Sequence, residues 1–192
     1  SSCAVYGEST YLPVDELHSA NPISPYAESK LMAERSCLGF YDRQLLGTVV
    51  FRLFNVYGPR QGLSEYSGVI TKFIDLAKQG LPLMIYGEGS QTRDFVSVFD
   101  VVDSVVSALK RDAANGNVFN VGSGVATSVN ELAKTVSDLL GAICKITYLK
   151  PREGDIKNSY ANICKARKVL GFEPRFSLRD GLKNLLDTKS VS

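Results

Sequence analysis

The stretch Thr48-Val49-Val50-Phe51-Arg52-Leu53-Phe54 constrains this chain most, because its apolar side chains fall on both faces of an extended segment. A strand buried on one face alternates apolar and polar residues, whereas a near-continuous apolar run suits a parallel sheet covered on both sides. Before it, Ala27 to Gln44 reads as a helix, with Leu31, Met32, Leu38 and Tyr41 mostly at helical spacing. After it, Asn55-Val56-Tyr57-Gly58-Pro59-Arg60 reads as a loop. A helix over Gly68 to Lys78 ends at Gly80, and another covers Asp100 to Leu109. Strands are expected at Leu83 to Tyr86, Asp94 to Val98, Val118 to Val121 and Ile146 to Tyr148. Ser128-Val129-Asn130-Glu131 is a capping box opening a helix to Leu140, and helices at Lys165 to Leu170 and Leu178 to Leu186 close the chain. Mixed strands and helices in this order indicate an α/β fold.

With 192 residues and 44% apolar composition, the chain can build a real hydrophobic core. The net charge of +2 gives no electrostatic case for a nucleic-acid or membrane-surface partner. No apolar run approaches the roughly 20 residues of a membrane helix, and no signal segment is evident. Cys3, Cys37, Cys144 and Cys164 are scattered, without a CxxC pair, and His18 is the single histidine. That argues against a zinc site or any other metal site and for a reduced, cytoplasmic setting, with each cysteine a small buried hydrophobe. His18, in a proline-flanked loop, is expected to be exposed. The opening Ser1-Ser2-Cys3-Ala4-Val5-Tyr6-Gly7 has no initiator methionine and reads as a strand entering a turn, which suggests truncation at the N-terminus.

The strongest chemical signal is Tyr26-Ala27-Glu28-Ser29-Lys30 at a helix start. Residues four apart share a helical face, so phenol and ammonium point the same way. A free tyrosine has a pKa of about 10 and is a poor base at neutral pH; a neighbouring ammonium stabilises its phenolate. The pair can therefore take a proton from a sugar hydroxyl. On its own the pattern equally fits a helix N-terminus with a solvated lysine.

The pattern has company: Ser1 to Gly7 upstream, then Arg52 to Arg60, Thr92-Arg93-Asp94-Phe95-Val96, Asn120-Val121-Gly122-Ser123-Gly124 and Arg152-Glu153-Gly154-Asp155. Over essentially its whole length the chain resembles an extended short-chain dehydrogenase/reductase of the nucleotide-sugar epimerase and dehydratase group. The resemblance implies the C-terminal part of a Rossmann-type doubly wound sheet plus a small α/β substrate-binding domain. Residues 1–60 would complete the NAD-binding domain, and 61–192 would mainly hold substrate, with some segments returning to the first domain.

The resemblance also implies roles. Ser2, Tyr26 and Lys30 would be catalytic, with Ser2 also touching the sugar. Tyr26, Lys30, Phe54 and Val56 would contact NAD. Asn55, Val69, Met84, Tyr86, Arg93, Arg152 and Asp155 would bind the nucleotide sugar. Arg93 and Arg152 would grip the diphosphate, Met84 to Tyr86 would flank the base, and Asp155 would lie near the ribose. Chemistry agrees with this, since arginine forks suit a diphosphate and Tyr86 offers a flat wall to a base. Arg60 reads as surface.

Relatives that dehydrate sugars place an acidic pair after the serine or threonine, where this chain has Cys3 and Ala4. The implied reaction is thus NAD-dependent epimerisation at C4 of a UDP-hexose, with N-acetyl forms admitted by the small Ser159. A dehydratase, a reductase or a non-catalytic nucleotide-sugar-binding remnant are the alternatives. Neither Gly87-Glu88-Gly89-Ser90 nor Gly122-Ser123-Gly124 has the strand-loop-helix setting of a dinucleotide loop. That half, on the order of a hundred residues, would be missing, leaving sheet edges and apolar surface uncovered. The fragment alone would be inactive, and the complete protein would be a homodimer.

Overall fold

The computed structural model describes residues 1–63, 68–141, 144–152 and 154–189. Strand β1 (Val49–Leu53) pairs in parallel with β6 (Asn117–Val121), in the register Val49 to Asn117 and Leu53 to Val121. Strand β2 (Asn55–Tyr57) pairs in parallel with β5 (Phe95–Ser97), and β3 (Leu83–Tyr86) with β8 (Ile146–Leu149). Strand β4 (Thr92–Arg93) runs antiparallel to β7 (Thr127–Ser128). The fold is α/β, as the apolar run of β1 requires.

The helices begin where side chains can satisfy their first amides. Helix α1 (Pro25–Asp42) starts with proline, whose missing N–H costs nothing there, and Ser24 caps it by accepting from the Ala27 amide at 3.2 Å. Helix α2 is Val69–Lys78, and α3 (Val98–Leu109) is capped by Ser97. Helix α4 (Val129–Leu140) has the expected reciprocal box between Ser128 and Glu131 and ends on the left-handed Gly141. Helices α5 (Cys164–Leu170) and α6 (Leu178–Lys189) follow.

Two apolar cores organise these elements. The first gathers Tyr6, Leu31, Phe54, Phe119, Val121 and Leu170 around β1 and β6. The second gathers Tyr57, Phe73, Leu83, Ile85, Leu132 and Leu182 around β3, α2 and α4. The chain passes from one core to the other between Phe54 and Tyr57, so Asn55 lies where they meet. Helix α1 is fixed to the first core by a buried ion pair in which Arg52 of β1 grips Glu34 with both Nε and Nη2. The Arg52 guanidinium also lies 4.7 Å from the Tyr6 ring centre, and the Tyr6 hydroxyl donates to Asn120 at 2.7 Å.

Several expectations need correction. Cys3–Tyr6 is a short 3-10 helix rather than a strand; Ser2 alone bridges to Leu53, and its side chain caps the turn at the Ala4 amide. Asn55 to Tyr57 is strand, because its amides find partners beyond Phe54, the Asn55 N–H donating to the Asp94 carbonyl at 2.9 Å. The strand expected over Asp94 to Val98 is divided at Asp94, and Val98 already begins α3. His18 is buried: its Nε2 meets the Thr10 amide at 3.0 Å and its Nδ1 the Ser19 carbonyl at 2.9 Å. Cys37 and Cys164 are exposed and Cys3 and Cys144 half-buried, so the cysteines are not a set of core residues. Outward on α3, Phe99, Val102, Val105, Val106 and Leu109 are exposed. None of the described helices is long and apolar enough to cross a membrane.

Two glycines in helices should respond oppositely to alanine. A Cβ on Gly181 of α6 would stand 1.9 Å from the Tyr57 hydroxyl, whereas one on Gly39 of α1 would meet nothing within 4 Å. Gly181→Ala should lower stability by about 1–3 kcal/mol, as overpacking does. Gly39→Ala should raise it by about 0.5–1 kcal/mol through helix propensity. Urea unfolding midpoints of the two variants check both signs.

Candidate functional site

Strand alternation sends Arg93 and Asp94 to opposite sides of the chain, and the site grows from that division. Asp94 is fully buried. Its Oδ1 accepts from the Ser123 amide and hydroxyl, both at 2.6 Å, and its Oδ2 from the Gly124 amide at 2.9 Å and the Ala161 amide at 3.0 Å. Burial pushes its carboxyl above the ordinary carboxylate range, while these four bonds pull it back. The turn must be glycine-rich, since a Cβ on Gly122 would stand 2.5 Å from Oδ2. Gly122-Ser123-Gly124 is thus a cradle for the chain's own carboxylate. Gly87 and Gly89, both at positive φ, shape the turn leaving β3.

Arg93 faces a cavity of about 480 Å³ that opens between β3, α2 and the segment around Arg152. Its Nη2 donates to Asp155 at 2.5 Å and its Nη1 to the Thr92 carbonyl at 2.8 Å. Asn55 also lines this cavity, and its Nδ2 donates to the Asp94 carbonyl at 3.1 Å. Across it, the Arg152 guanidinium lies over the Tyr86 ring, 3.8 Å from its centre. Hydrogen bonding from Arg152, then its charge, holds the Tyr86 phenol below its ordinary pKa, with the Lys72 charge adding to the effect. The Tyr86 carbonyl is held by Gln91 Nε2 at 2.8 Å. Val69 and Met84 complete the expected lining. Of the residues that the family resemblance assigned to substrate, only Ser2 lies outside this wall.

Ser2, Tyr26 and Lys30 are not among the residues that line this cavity. Tyr26 is 57% exposed on the first turn of α1, which leaves its hydroxyl accessible to a reactant. Lys30, one turn on, places its Nζ 5.4 Å from the Tyr26 ring centre. Cys3 sits beside Ser2 and Ser159, and burial first, then the Asp94 charge, push its thiol up to about 11. It is therefore a protonated thiol at neutral pH and no acid or base for elimination. Phe54 packs in the first core and is only 4% exposed, whereas Val56 is half-buried. Arg60 is exposed, as its reading as surface anticipates.

The cavity also takes in residues that sequence reasoning did not single out, Lys72, Phe73, Leu76, Gln91 and Val129 among them. The signal for the helical ones was available: Val69, Lys72, Phe73 and Leu76 recur at the three- and four-residue spacing of one helix face. Glu153 falls outside the described residues. Among the described residues no group of three or more His, Cys, Asp or Glu side chains could hold a metal ion.

Residues 1–185 match the family model described as GDP-mannose 4,6 dehydratase. The chain belongs to that family. A protein of Methanocaldococcus jannaschii provisionally named UDP-glucose 4-epimerase is 41% identical over 189 residues, which are 97% of this chain and 60% of the relative. Among solved structures, the UDP-N-acetylglucosamine 4-epimerase of Methanobrevibacter ruminantium M1, in complex with UDP-N-acetylmuramic acid, superposes with a TM-score of 0.93 at 35% identity, covering 100% of this chain and 62% of that one. The UDP-glucuronic acid 4-epimerase of Bacillus cereus, in complex with UDP-glucuronic acid and NAD, gives 0.90 at 32% identity, covering 100% and 60%. The chain thus spans about 60% of the length of the curated relative it matches. Its family is that of the nucleotide-sugar 4-epimerases and related dehydratases, extended short-chain dehydrogenase/reductases with a Rossmann fold, as the motifs indicated.

Two outcomes test the geometry of this family member. Asp94→Asn replaces an acceptor oxygen by an NH2 that faces N–H donors, and should cost about 2–4 kcal/mol in urea unfolding. Arg152→Gln should let the Tyr86 phenol rise toward its ordinary value, read by NMR titration of ring-labelled tyrosine; an unmoved titration would refute the contact.

Proposed function

We propose that the protein to which this chain belongs is an NAD-dependent 4-epimerase of a UDP-hexose. The observation that carries the reading is the pairing of an exposed Tyr26 and Lys30 with a cavity walled by Arg93, Arg152, Asp155 and Tyr86. Tyr26 would take the proton of the sugar C4 hydroxyl and return it after the sugar has presented its other face. Lys30 would hold the nicotinamide ribose and favour the phenolate, and Ser2 would orient the hydroxyl. The arginines would grip the diphosphate, Asp155 the ribose, and Tyr86 with Met84 the base.

The residues present fit one end of the cofactor. Tyr26, Lys30 and Val56, with the Phe54 backbone, can meet the nicotinamide half, while the Gly122 turn is already filled by Asp94 and cannot cradle its phosphates. NAD, when bound, supplies the redox chemistry at the sugar carbon. A complementary dinucleotide-binding part of the protein would cover the exposed apolar face of α3. A division near residue 60 into cofactor and substrate regions, a homodimer and a cytoplasmic setting belong to this reading.

Epimerisation is favoured over dehydration by the elevated Cys3 thiol and by Ala4, which leave no acidic pair beside Ser2. The relatives' names divide among UDP-glucose, UDP-N-acetylglucosamine and UDP-glucuronic acid as sugars. Ser159, the small residue that the resemblance sets against an N-acetyl group, is buried near Cys3.

The full-length protein should convert at least one of these three UDP-sugars to its C4 epimer, resolved by chromatography. Tyr26→Phe should slow that conversion by roughly 10²–10⁴-fold, the usual worth of a general acid–base group. Loss of water from the sugar instead of epimer formation would reassign the enzyme as a dehydratase. No reaction with any sugar, despite bound NAD, would sink the C4 assignment.

A further inference from the structure

We propose that Gln91 is a positioning residue for the nucleoside: by holding the Tyr86 carbonyl, it fixes the wall that Tyr86 and Arg152 present to the ligand. The inference rests on the nucleotide-sugar reading above and adds a residue to it. That wall has little packing behind it. Tyr86, Gln91, Arg152 and Asp155 line the large cavity and also a second one of about 240 Å³, so the wall borders two open spaces. The Arg152 guanidinium covers the Tyr86 ring, but Arg152 is itself exposed and gives the ring no rigid backing. The position of Tyr86 must therefore come from polar ties to its backbone.

Those ties follow from the peptide that joins Tyr86 to Gly87. The Gly87 amide donates to the Leu149 carbonyl at 2.9 Å, which turns it toward β8. In a trans peptide the carbonyl points the opposite way from the amide that follows it, so the Tyr86 carbonyl faces away from β8. Gln91 Nε2 meets it there at 2.8 Å. A carbonyl only accepts, so the bond fixes which end of the Gln91 amide faces Tyr86. Gln91 is anchored in turn: its own carbonyl accepts from the Val129 amide at 3.1 Å, at the head of α4, and the next residue, Thr92, pairs with Ser128. The side chain thus ties the end of β3 to the start of α4. Arg93, two residues further on, lines the same cavity and is held separately by Asp155 and the Thr92 carbonyl. Loss of the Gln91 amide should loosen the Tyr86 side of the cavity and leave the Arg93 side in place.

The test uses the full-length protein with Gln91→Leu, which keeps the bulk and removes the donor. Gln91→Met takes its place if the leucine variant fails to fold by circular dichroism. NMR titration of ring-labelled tyrosine follows Tyr86 without a ligand, and calorimetry with UDP and inorganic pyrophosphate separates the nucleoside from the phosphates. In the variant the Tyr86 phenol, held below its ordinary value by Arg152, should rise toward it as ring and guanidinium lose their fixed contact. UDP binding should weaken roughly three- to tenfold, the scale of one hydrogen bond, while pyrophosphate binding stays within about twofold of the parent.

An unmoved Tyr86 titration, or UDP held as tightly as by the parent, would overturn the assignment. Equal weakening of UDP and pyrophosphate would overturn it too, because it marks a general loosening of the cavity. A parent that holds UDP no more tightly than pyrophosphate, or binds neither, sinks the UDP-sugar reading instead. The Tyr86 titration needs no ligand and in that case decides alone whether Gln91 fixes the wall.

Discussion

The buried carboxylate of Asp94 holds together the parts that make the cavity. Its two oxygens draw in the Ser123 and Gly124 amides after β6 and the Ala161 amide before α5, while its own carbonyl receives Asn55 from the start of β2. Four segments distant in sequence therefore meet at one residue. A buried carboxylate is costly unless its lone pairs are filled, so the site is stable only when all of these segments are in place. The neighbouring Arg93 is aimed by the same strand and cannot turn inward, because that side is taken.

A second anchor acts at the other end. The Glu34–Arg52 pair joins α1 to β1 inside the first core, with Tyr6 and Asn120 packed beside it. Breaking a buried pair on one side leaves an unpaired charge, which is far more costly than the pair is worth in itself. The helix carrying Tyr26 and Lys30 is thus fixed to the first core, whereas the cavity is built largely from the second. The α1 surface and the cavity thus have separate supports, which meet at the Phe54–Tyr57 crossing.

Much of this was legible in the residues. The capping box at Ser128, the apolar run of β1 and the helical spacing of α1 and α2 are local signals, and each element stands where its signal placed it within a few residues. The family motifs likewise located the residues that wall the cavity. What was not legible depended on partners far along the chain. Asn55 to Tyr57 is extended because β5 is beside it, and no local pattern announces that. His18 is buried because Thr10 and Ser19 satisfy both ring nitrogens, although a proline-flanked histidine reads as exposed. The opening residues form a turn because the Ser2 side chain caps the Ala4 amide, a contact of small free energy that decides the local backbone. Asp94 was quoted within a motif, yet its role required knowing that Ser123 and Ala161 would come to it.

The glycine-rich turn after β6 shows why composition alone misleads about phosphate binding. Successive backbone amides around an anion make a favourable nest whether the anion is a ligand phosphate or a carboxylate of the same chain. In Gly122-Ser123-Gly124 the glycines serve the second purpose: Gly122 admits the close approach of Asp94, and Gly124 supplies an amide at positive φ. Such a turn is already neutralised and saturated, so it cannot serve a dinucleotide as well. The cavity meets the opposite requirement. Its cations come from side chains on separate elements, Arg93 on β4 and Arg152 after β8, and the one described carboxylate there, Asp155, bonds to Arg93 near solvent. That pair is only partly screened by water, with Arg93 half-buried and Asp155 at the edge of solvent. The inner carboxylate is thus structural, whereas the outer one stays within reach of solvent at the cavity wall.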